Sequence, residues 1–254
     1  MASLHKVENI PTNRPLRLGI VGGGAGGVEL ALTIQARLKR LLRSLELSSA
    51  QIEVHLFHRR ADLMTGFPGA IGDRFRQLLI HGGIQLHLSE TVNAVEGLIS
   101  NDDRHPLKIV HCESGLSVNC DRIFWVTDAS APDWLKQSGL ATDARGFILV
   151  KDTLQSISHP NIFATGDIAA ILDDPRPKAG VFAVRQGQPL ADNLRQISSG
   201  QRPNPFYPQK RHLALIGTGE GDAIAAWGEF WLGPSKLLWC WKDWIDRQFM
   251  RQFG

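Results

Sequence analysis

Two short stretches of this chain carry residue types that can do chemistry. The first is Gly22-Gly23-Gly24-Ala25-Gly26-Gly27, which follows the apolar run LRLGIV at 16–21. Its glycines at 22, 24 and 27 have the spacing G-x-G-x-x-G, and each has its own duty. Gly22 permits a tight turn, Gly24 lets the backbone come close to a pyrophosphate, and Gly27 lets a following helix lie on the strand. The phosphates would face free N–H groups at the start of that helix, from Ala25, Gly26 and Gly27, where the macrodipole favours negative charge. The second stretch is NIFATGDIAA at 161–170, an apolar run that stops at Gly166 and Asp167. An acid in that place either caps the next helix or holds a ligand, and the run alone leaves both open.

A third group qualifies the first. The residue at the end of the second strand in such a unit ordinarily reads the adenosine ribose, as Asp or Glu for NAD. Here that place holds His58, followed by Arg59 and Arg60. No carboxylate is available for the 2′-hydroxyl, whereas two guanidiniums can form bidentate pairs with a 2′-phosphate. The same arginines could equally be solvated residues after a strand, so both NADH and NADPH stay open.

The elements that must position these residues can be read from periodicity. LRLGIV reads as a buried parallel strand. The segment after the glycines places Gly27, Ala31, Ile34, Leu38, Leu41 and Leu45 on one helical face. IEVHLFH (52–58) reads as the second strand, which completes a βαβ unit. GFPGAIGDRFRQLLIHGG predicts a loop and a helix ended by glycines. Strands follow at 84–89, 107–113 and 116–121, the last two forming a hairpin around 114–115. DRIFWVT (121–127) reads as a further buried strand, ASAPDWLKQSGL as a turn and short helix, and GFILV (146–150) and 161–165 as strands. VRQGQPLADNLRQISSG predicts a helix ended by glycine. The proline-rich RPNPFYPQ (202–209) marks a boundary, and SKLLWCWKDWIDRQFMRQF reads as an amphipathic helix with Leu238, Trp241, Ile245 and Phe249 on one face.

Composition narrows the class. The chain has 254 residues, 43% hydrophobic and 21% charged, with a net charge of +3. That is globular composition with room for one large or two small domains. An excess charge this small, spread along the chain, argues against nucleic acid as a partner. Cys112, Cys120 and Cys240 form no CxxC pair and no metal-ligand spacing, which suits a reducing compartment and argues against a redox dithiol. With no signal-like start and no apolar stretch of about 18 residues, a cytoplasmic protein is expected.

VGGGAGGVELA at 21–31, GFP at 66–68, SHPNIFATGDIA at 158–169 and VFAVRQGQPLADNL at 181–194 resemble, in content and order, the flavin-dependent pyridine nucleotide oxidoreductases, with the type II NADH dehydrogenases the nearest broad group. More narrowly, WVTDASAPDWLKQSGL, PRPKAGVFAVRQG, LIGTG and WKDWIDRQFM are similar to the oxidoreductase region fused ahead of selenide, water dikinase in some bacteria. The HRR triplet also resembles the NADPH-binding signature of thioredoxin reductases, although Met64 stands where its later arginine would be. The resemblance implies an α/β fold: a Rossmann-like three-layer nicotinamide-binding domain at 16–125 after a leader at 1–15, part of a FAD-binding domain at 126–200, and a C-terminal cap with strands and a Trp-rich helix at 201–254.

It also implies roles. Asp167, with Gly166 allowing close approach, would bond the ribityl and pyrophosphate region of FAD, while Phe182, Arg185 and Gln186 would run beside the isoalloxazine. Glu29 would lie near the meeting of nicotinamide and flavin, or serve simply as an acid at a helix start. Hydride would pass from NADH or NADPH to flavin and on to a quinone or another acceptor. Such tails touch membranes in type II dehydrogenases, so the last helix could meet a membrane, a sister subunit or its own core. Family members carry two glycine motifs and this chain has one, matching the nicotinamide copy, so a fragment that has lost FAD is expected. Asp128, where relatives tend to carry glycine, could repel that cofactor. The competing expectation is a non-catalytic nucleotide-sensing or docking module attached to a downstream selenide, water dikinase.

Overall fold

The computed structural model describes residues 14–97 and 107–252, so nearly all of the expected leader lies outside the described residues. Strand β1 (Leu16–Val21) runs into the glycine turn and helix α1 (Ala25–Ser44), and then come β2 (Ile52–His58), α2 (Gly69–His81) and β3 (Gln85–Leu88). A three-stranded antiparallel meander follows, made of β4 (Val92–Gly97), β5 (Lys108–Cys112) and β6 (Ser117–Cys120), before β7 (Arg122–Trp125) rejoins the first sheet. That first sheet is parallel with order β3-β2-β1-β7, so Val21 lies between Phe57 and Trp125.

The alternation of β1 and β2 explains how both faces of this sheet are covered. Ile20, Val54 and Leu56 point into a core with Val28, Ala31 and Leu32 of α1 and with Ile71, Phe75 and Leu79 of α2. Val21 and Phe57 point the other way, onto Val110, Cys112 and Cys120 of the meander. Gly19 permits that close approach, because a Cβ there would lie 3.0 Å from Cys120 Sγ.

The chain divides into two units, Met1–Thr127 with Leu213–Gly254, and Asp128–His212. The second unit contains α3 (Trp134–Gln137), a parallel pair formed by β8 (Ile148–Val150) and β9 (Ala169–Ile171), and α4 (Gly180–Ser198). Its core gathers Leu135, Ile148, Val150, Ala164, Ala169 and Ile171. The first unit resumes with an antiparallel sheet of β10 (Leu213–Gly217), β11 (Ala223–Trp227) and β12 (Phe230–Ser235), then α5 (Lys236–Met250), capped by Ser235 Oγ accepting the Leu237 N–H. Ile216, Ile224 and Ala226 join the same core as α1. The C-terminal segment expected at 201–254 is thus part of the first unit from Leu213 onward.

Four expectations need correction. Residues 161–165 do not form a strand: Ile162 donates to His159 O, while Ile162 O and Leu154 O accept from Ser156 and Ala164, so the run bonds to the adjacent loop. The paired strand begins later, after a 3-10 turn at Gly166–Ile168. The strand at β7 is real but not buried: it is a sheet edge, and Phe124 and Trp125 are 38% and 57% exposed. The buried face of α1 is wider than the expected line: Gly27 and Ala31 are buried and Ile34 and Leu38 pack on the core, but Val28, Leu32, Gln35, Ala36 and Leu42 are buried as well and Leu41 is exposed. The cause is a second partner, since β10 and the loop after it cover that flank; a Cβ on Gly219 would lie 2.3 Å from Leu32 O. On α5, Leu238 of the expected face does meet the sheet, but Trp241 and Ile245 are exposed, and Trp239 packs at Gly217 while Lys242 reaches Glu29.

Candidate functional site

The glycine turn sits at the carboxyl end of β1, where parallel α/β sheets place ligands. Gly22 has φ of +127°, and a Cβ there would lie 2.2 Å from Val126 O. A Cβ on Gly27 would fall 1.8 Å from Gly22 O, so α1 can close on the turn only because position 27 has no side chain. Gly24, the N-cap of α1, has nothing within 4 Å of its Cβ position, and Gly26 is exposed with Ala25 partly so. Of the three spaced glycines, two therefore stand against backbone and one is open.

His58 meets the glycine turn. Its Nδ1 accepts the Gly23 N–H at 3.1 Å, and its ring lies 2.6 Å from where a Gly23 Cβ would be. Arg59 and Arg60 are exposed on the turn that follows. That turn comes back to the glycines, with Met64 N–H donating to Gly23 O at 2.9 Å. Beyond it, a hollow of about 360 Å³ is lined by residues from Asp62 to Phe67 and by Gly69, Gly72, Asp73 and Arg76.

Glu29 is held from the C-terminal part of the same unit. Its Oε1 accepts the Gly217 N–H at 3.0 Å and stands 3.5 Å from Lys242 Nζ, with the two side chains 29% and 19% exposed. Burial opposes the ammonium charge, but Asp246 and Glu29 outweigh it and raise the Lys242 pKa. Lys242 lies on the Trp-rich helix, off the line of Leu238, Trp241, Ile245 and Phe249. Nothing within its own segment pointed to Glu29, because the pairing is made by the packing of α5 beside β10.

In the second unit, Gly166 has φ of +68° and gives its N–H to Gln186 Oε1 at 2.6 Å. Gln186 is 5% exposed and Phe182 6%, the latter edge-on to His212 at 5.3 Å between ring centres, while Asp167 and Arg185 are exposed. Lys178 Nζ donates to Ala169 O and lies 4.2 Å over the Phe147 ring. Burial lowers the Lys178 pKa, partly offset by Asp143 and Asp167. The hollow bounded by Gly166, Asp167, Lys178, Phe182 and Gln186 measures about 20 Å³, room for about one water. Within this unit the predicted residues converge, but they do not enclose a space for a tricyclic ring.

A parallel sheet of this order, with a glycine turn leading from its first strand into a helix, is a Rossmann-like fold. Residues 3–187 match the family described as pyridine nucleotide-disulphide oxidoreductase, and the chain belongs to that family. It is 28% identical over 219 residues to ferroptosis suppressor protein 1 of Mus musculus, covering 84% of this chain and 54% of that protein. It is 27% identical over 183 residues to an alternative NAD(P)H-ubiquinone oxidoreductase of Arabidopsis thaliana, covering 67% and 33%. A type II NADH:quinone oxidoreductase of Staphylococcus saprophyticus is 22% identical over 214 residues, covering 82% and 51%. The chain thus spans about half the length, or less, of these relatives.

Two solved structures share the fold. A FAD-dependent pyridine nucleotide-disulphide oxidoreductase from Desulfovibrio vulgaris superposes with a TM-score of 0.60 at 22% identity, over 84% of this chain and 49% of that one. An engineered water-forming NADPH oxidase bound to NADPH gives 0.61 at 22% identity, over 82% and 42%.

Proposed function

We propose that this chain is the nicotinamide-dinucleotide-binding part of a flavin-dependent NAD(P)H oxidoreductase that delivers electrons to a quinone or another acceptor. The observation that carries this reading is the glycine turn, in which positions 22 and 27 exclude a side chain and position 24 stands open. These residues fit a dinucleotide: the first amides of α1 meet the pyrophosphate, and Arg59 and Arg60 meet a 2′-phosphate, which favours NADPH over NADH. Relatives named for NAD(P)H and quinone support the acceptor class. Bound flavin supplies the hydride-accepting chemistry. This chain's share is to fix the dinucleotide at the turn and to hold Glu29 beside Lys242 at the first turns of α1. Gly166, Asp167, Phe182, Arg185 and Gln186 are one side of a flavin grip, and the space in their own unit does not fit the ring system.

The narrower likeness to the region fused ahead of selenide, water dikinase is part of this reading and rests on the WVTDASAPDWLKQSGL and PRPKAGVFAVRQG stretches. No helix among the described residues is long and apolar enough to cross a membrane. Peripheral membrane contact or pairing with a second copy is read from Phe230, Leu232, Leu237 and Trp244, which are 60–82% exposed on β12 and α5.

Titration of the purified chain with NADPH and with NADH, followed by nicotinamide fluorescence, tests the proposal. NADPH is expected to bind more tightly, and Arg59→Ala with Arg60→Ala to remove most of that difference. Retention of FAD with no affinity for either nicotinamide nucleotide would overturn it.

A further inference from the structure

Gly23 is the one residue of the glycine turn whose N–H and C=O both appear in hydrogen bonds to segments outside it. Its N–H goes to His58 Nδ1 at the end of β2, and its carbonyl accepts from Met64 N–H in the following loop. The residue is buried, and the His58 ring and Leu63 Cδ2 fill the space where a side chain would be, at 2.6 and 2.7 Å. A backbone N–H can only donate, so His58 Nδ1 must carry no proton. An imidazolium has a hydrogen on both ring nitrogens and offers no acceptor at all.

We infer that His58 is a positioning residue whose neutral imidazole clamps the Gly23 peptide, so that protonation of the ring releases the glycine turn and weakens nucleotide binding. The nucleotide part of this inference rests on the reading of the turn given above. The charged groups on the elements that meet here include Arg59, Arg60 and Asp62 on the turn itself, Asp73 and Arg76 of α2, the latter donating to Ala61 O, and Glu90 after β3. Glu90 gives its backbone N–H to the His58 carbonyl, and its carboxylate accepts from Ser114 Oγ at 2.6 Å. The clamp also divides the labour at this corner: His58 serves the turn, and recognition of the ribose passes to Arg59 and Arg60.

Two measurements on the full chain test this. NADH affinity is measured between pH 8 and 5.5, a range in which its pyrophosphate stays ionised, for the wild type, His58→Asn and His58→Leu. Asn can present its side-chain oxygen near the place of Nδ1 and accepts at every pH, while Leu cannot accept. The wild type is expected to lose about tenfold in affinity across this range, His58→Asn to bind like the wild type at pH 8 with a flat profile, and His58→Leu to bind ten- to hundredfold more weakly throughout, roughly the effect of one unsatisfied buried donor. The second measurement is the Gly23 amide resonance in the nucleotide-free chain, expected to move with the His58 titration; it needs neither a variant nor a ligand. A Gly23 amide that ignores that titration, or a His58→Asn variant as weak as His58→Leu in a folded chain, overturns the clamp. If no variant binds NADH or NADPH while Gly23 still follows His58, the nucleotide reading falls and the regulatory half of the inference falls with it.

Discussion

Acid should weaken the nucleotide unit through one buried histidine. His55 on β2 is 5% exposed, its Nδ1 lies 3.0 Å from His87 Nε2 on β3, and the ring of His87 stacks on both His55 and Phe57. Burial is the main cause that lowers its pKa to about 4, with His87 and Arg17 adding to the effect and Glu53, 3.8 Å away, offsetting part of it. The folded value lies below the unfolded one of about 6.5. As pH falls, the unfolded chain therefore takes the proton first, and stability is lost progressively from about pH 6.5 down to about pH 4. From those two values the loss between pH 7 and pH 5 is about 2 kcal/mol.

With a urea slope of about 2 kcal/mol per molar for a domain of this size, that loss moves the midpoint by about 1 M. His55→Phe keeps a ring against His87 and removes the titrating group. Urea unfolding followed by tryptophan fluorescence at pH 7 and pH 5 should then show a much smaller shift for the variant. Burial also lowers the His87 pKa, with Glu90 opposing, so a reduced acid sensitivity should remain. An equal midpoint shift in wild type and variant would refute the assignment of the acid sensitivity to His55.

Gly27→Ala must reopen a 1.8 Å contact with Gly22 O to at least 3.0 Å, lifting the start of α1 by about 1 Å; NADPH affinity should fall about a hundredfold, a displacement of that size being enough to spoil a fixed geometry, and unchanged fluorescence titrations would contradict the role of that position. Lys242→Met leaves the Glu29 carboxylate with the Gly217 N–H and should cost about 1 kcal/mol in chemical unfolding, most of it recovered by adding Glu29→Gln; strictly additive effects would show that the pair is not coupled. Gln186→Leu removes the acceptor of the Gly166 N–H and should destabilise the second unit by about 1–3 kcal/mol with faster exchange of that amide; an unchanged exchange rate would mean that Gln186 does not hold the turn.

The parts of this fold that could be read from sequence are those in which the physical cause is local. The glycine turn, α1, β2 and the hairpin at 114–115 are set by neighbours a few residues apart, and each is found where the pattern places it. The parts that could not be read depend on distant partners. The extra buried flank of α1 is not in the pattern because its cover arrives from the far end of the chain, and the Glu29–Gly217 bond spans 188 residues. NIFAT has strand composition, yet it takes its hydrogen bonds from the loop just before it, and the strand that does form, Ala169–Ile171, is too short to show a period. Lys242 was invisible for the same reason, since a lysine on an amphipathic helix reveals nothing about what it will face.

A glycine-rich turn can also be mere structure, and the hydrogen bonds around this one argue otherwise. Gly22 gives its N–H to Phe57 O, Gly23 is tied on both sides, and Gly24 O accepts the Val28 N–H. Each of these ties belongs to the frame of the turn. The amides of Ala25, Gly26 and Gly27 are the ones that helix geometry cannot pair, and they follow the one glycine of the three-glycine motif whose surroundings are open. A turn with only a structural duty would gain from a side-chain cap at this end of α1, yet Gly24 supplies none and the first turn has no acid. Rigid backbone on the strand side combined with an uncapped helix start is the arrangement expected of a site whose cap is an anion brought by the ligand.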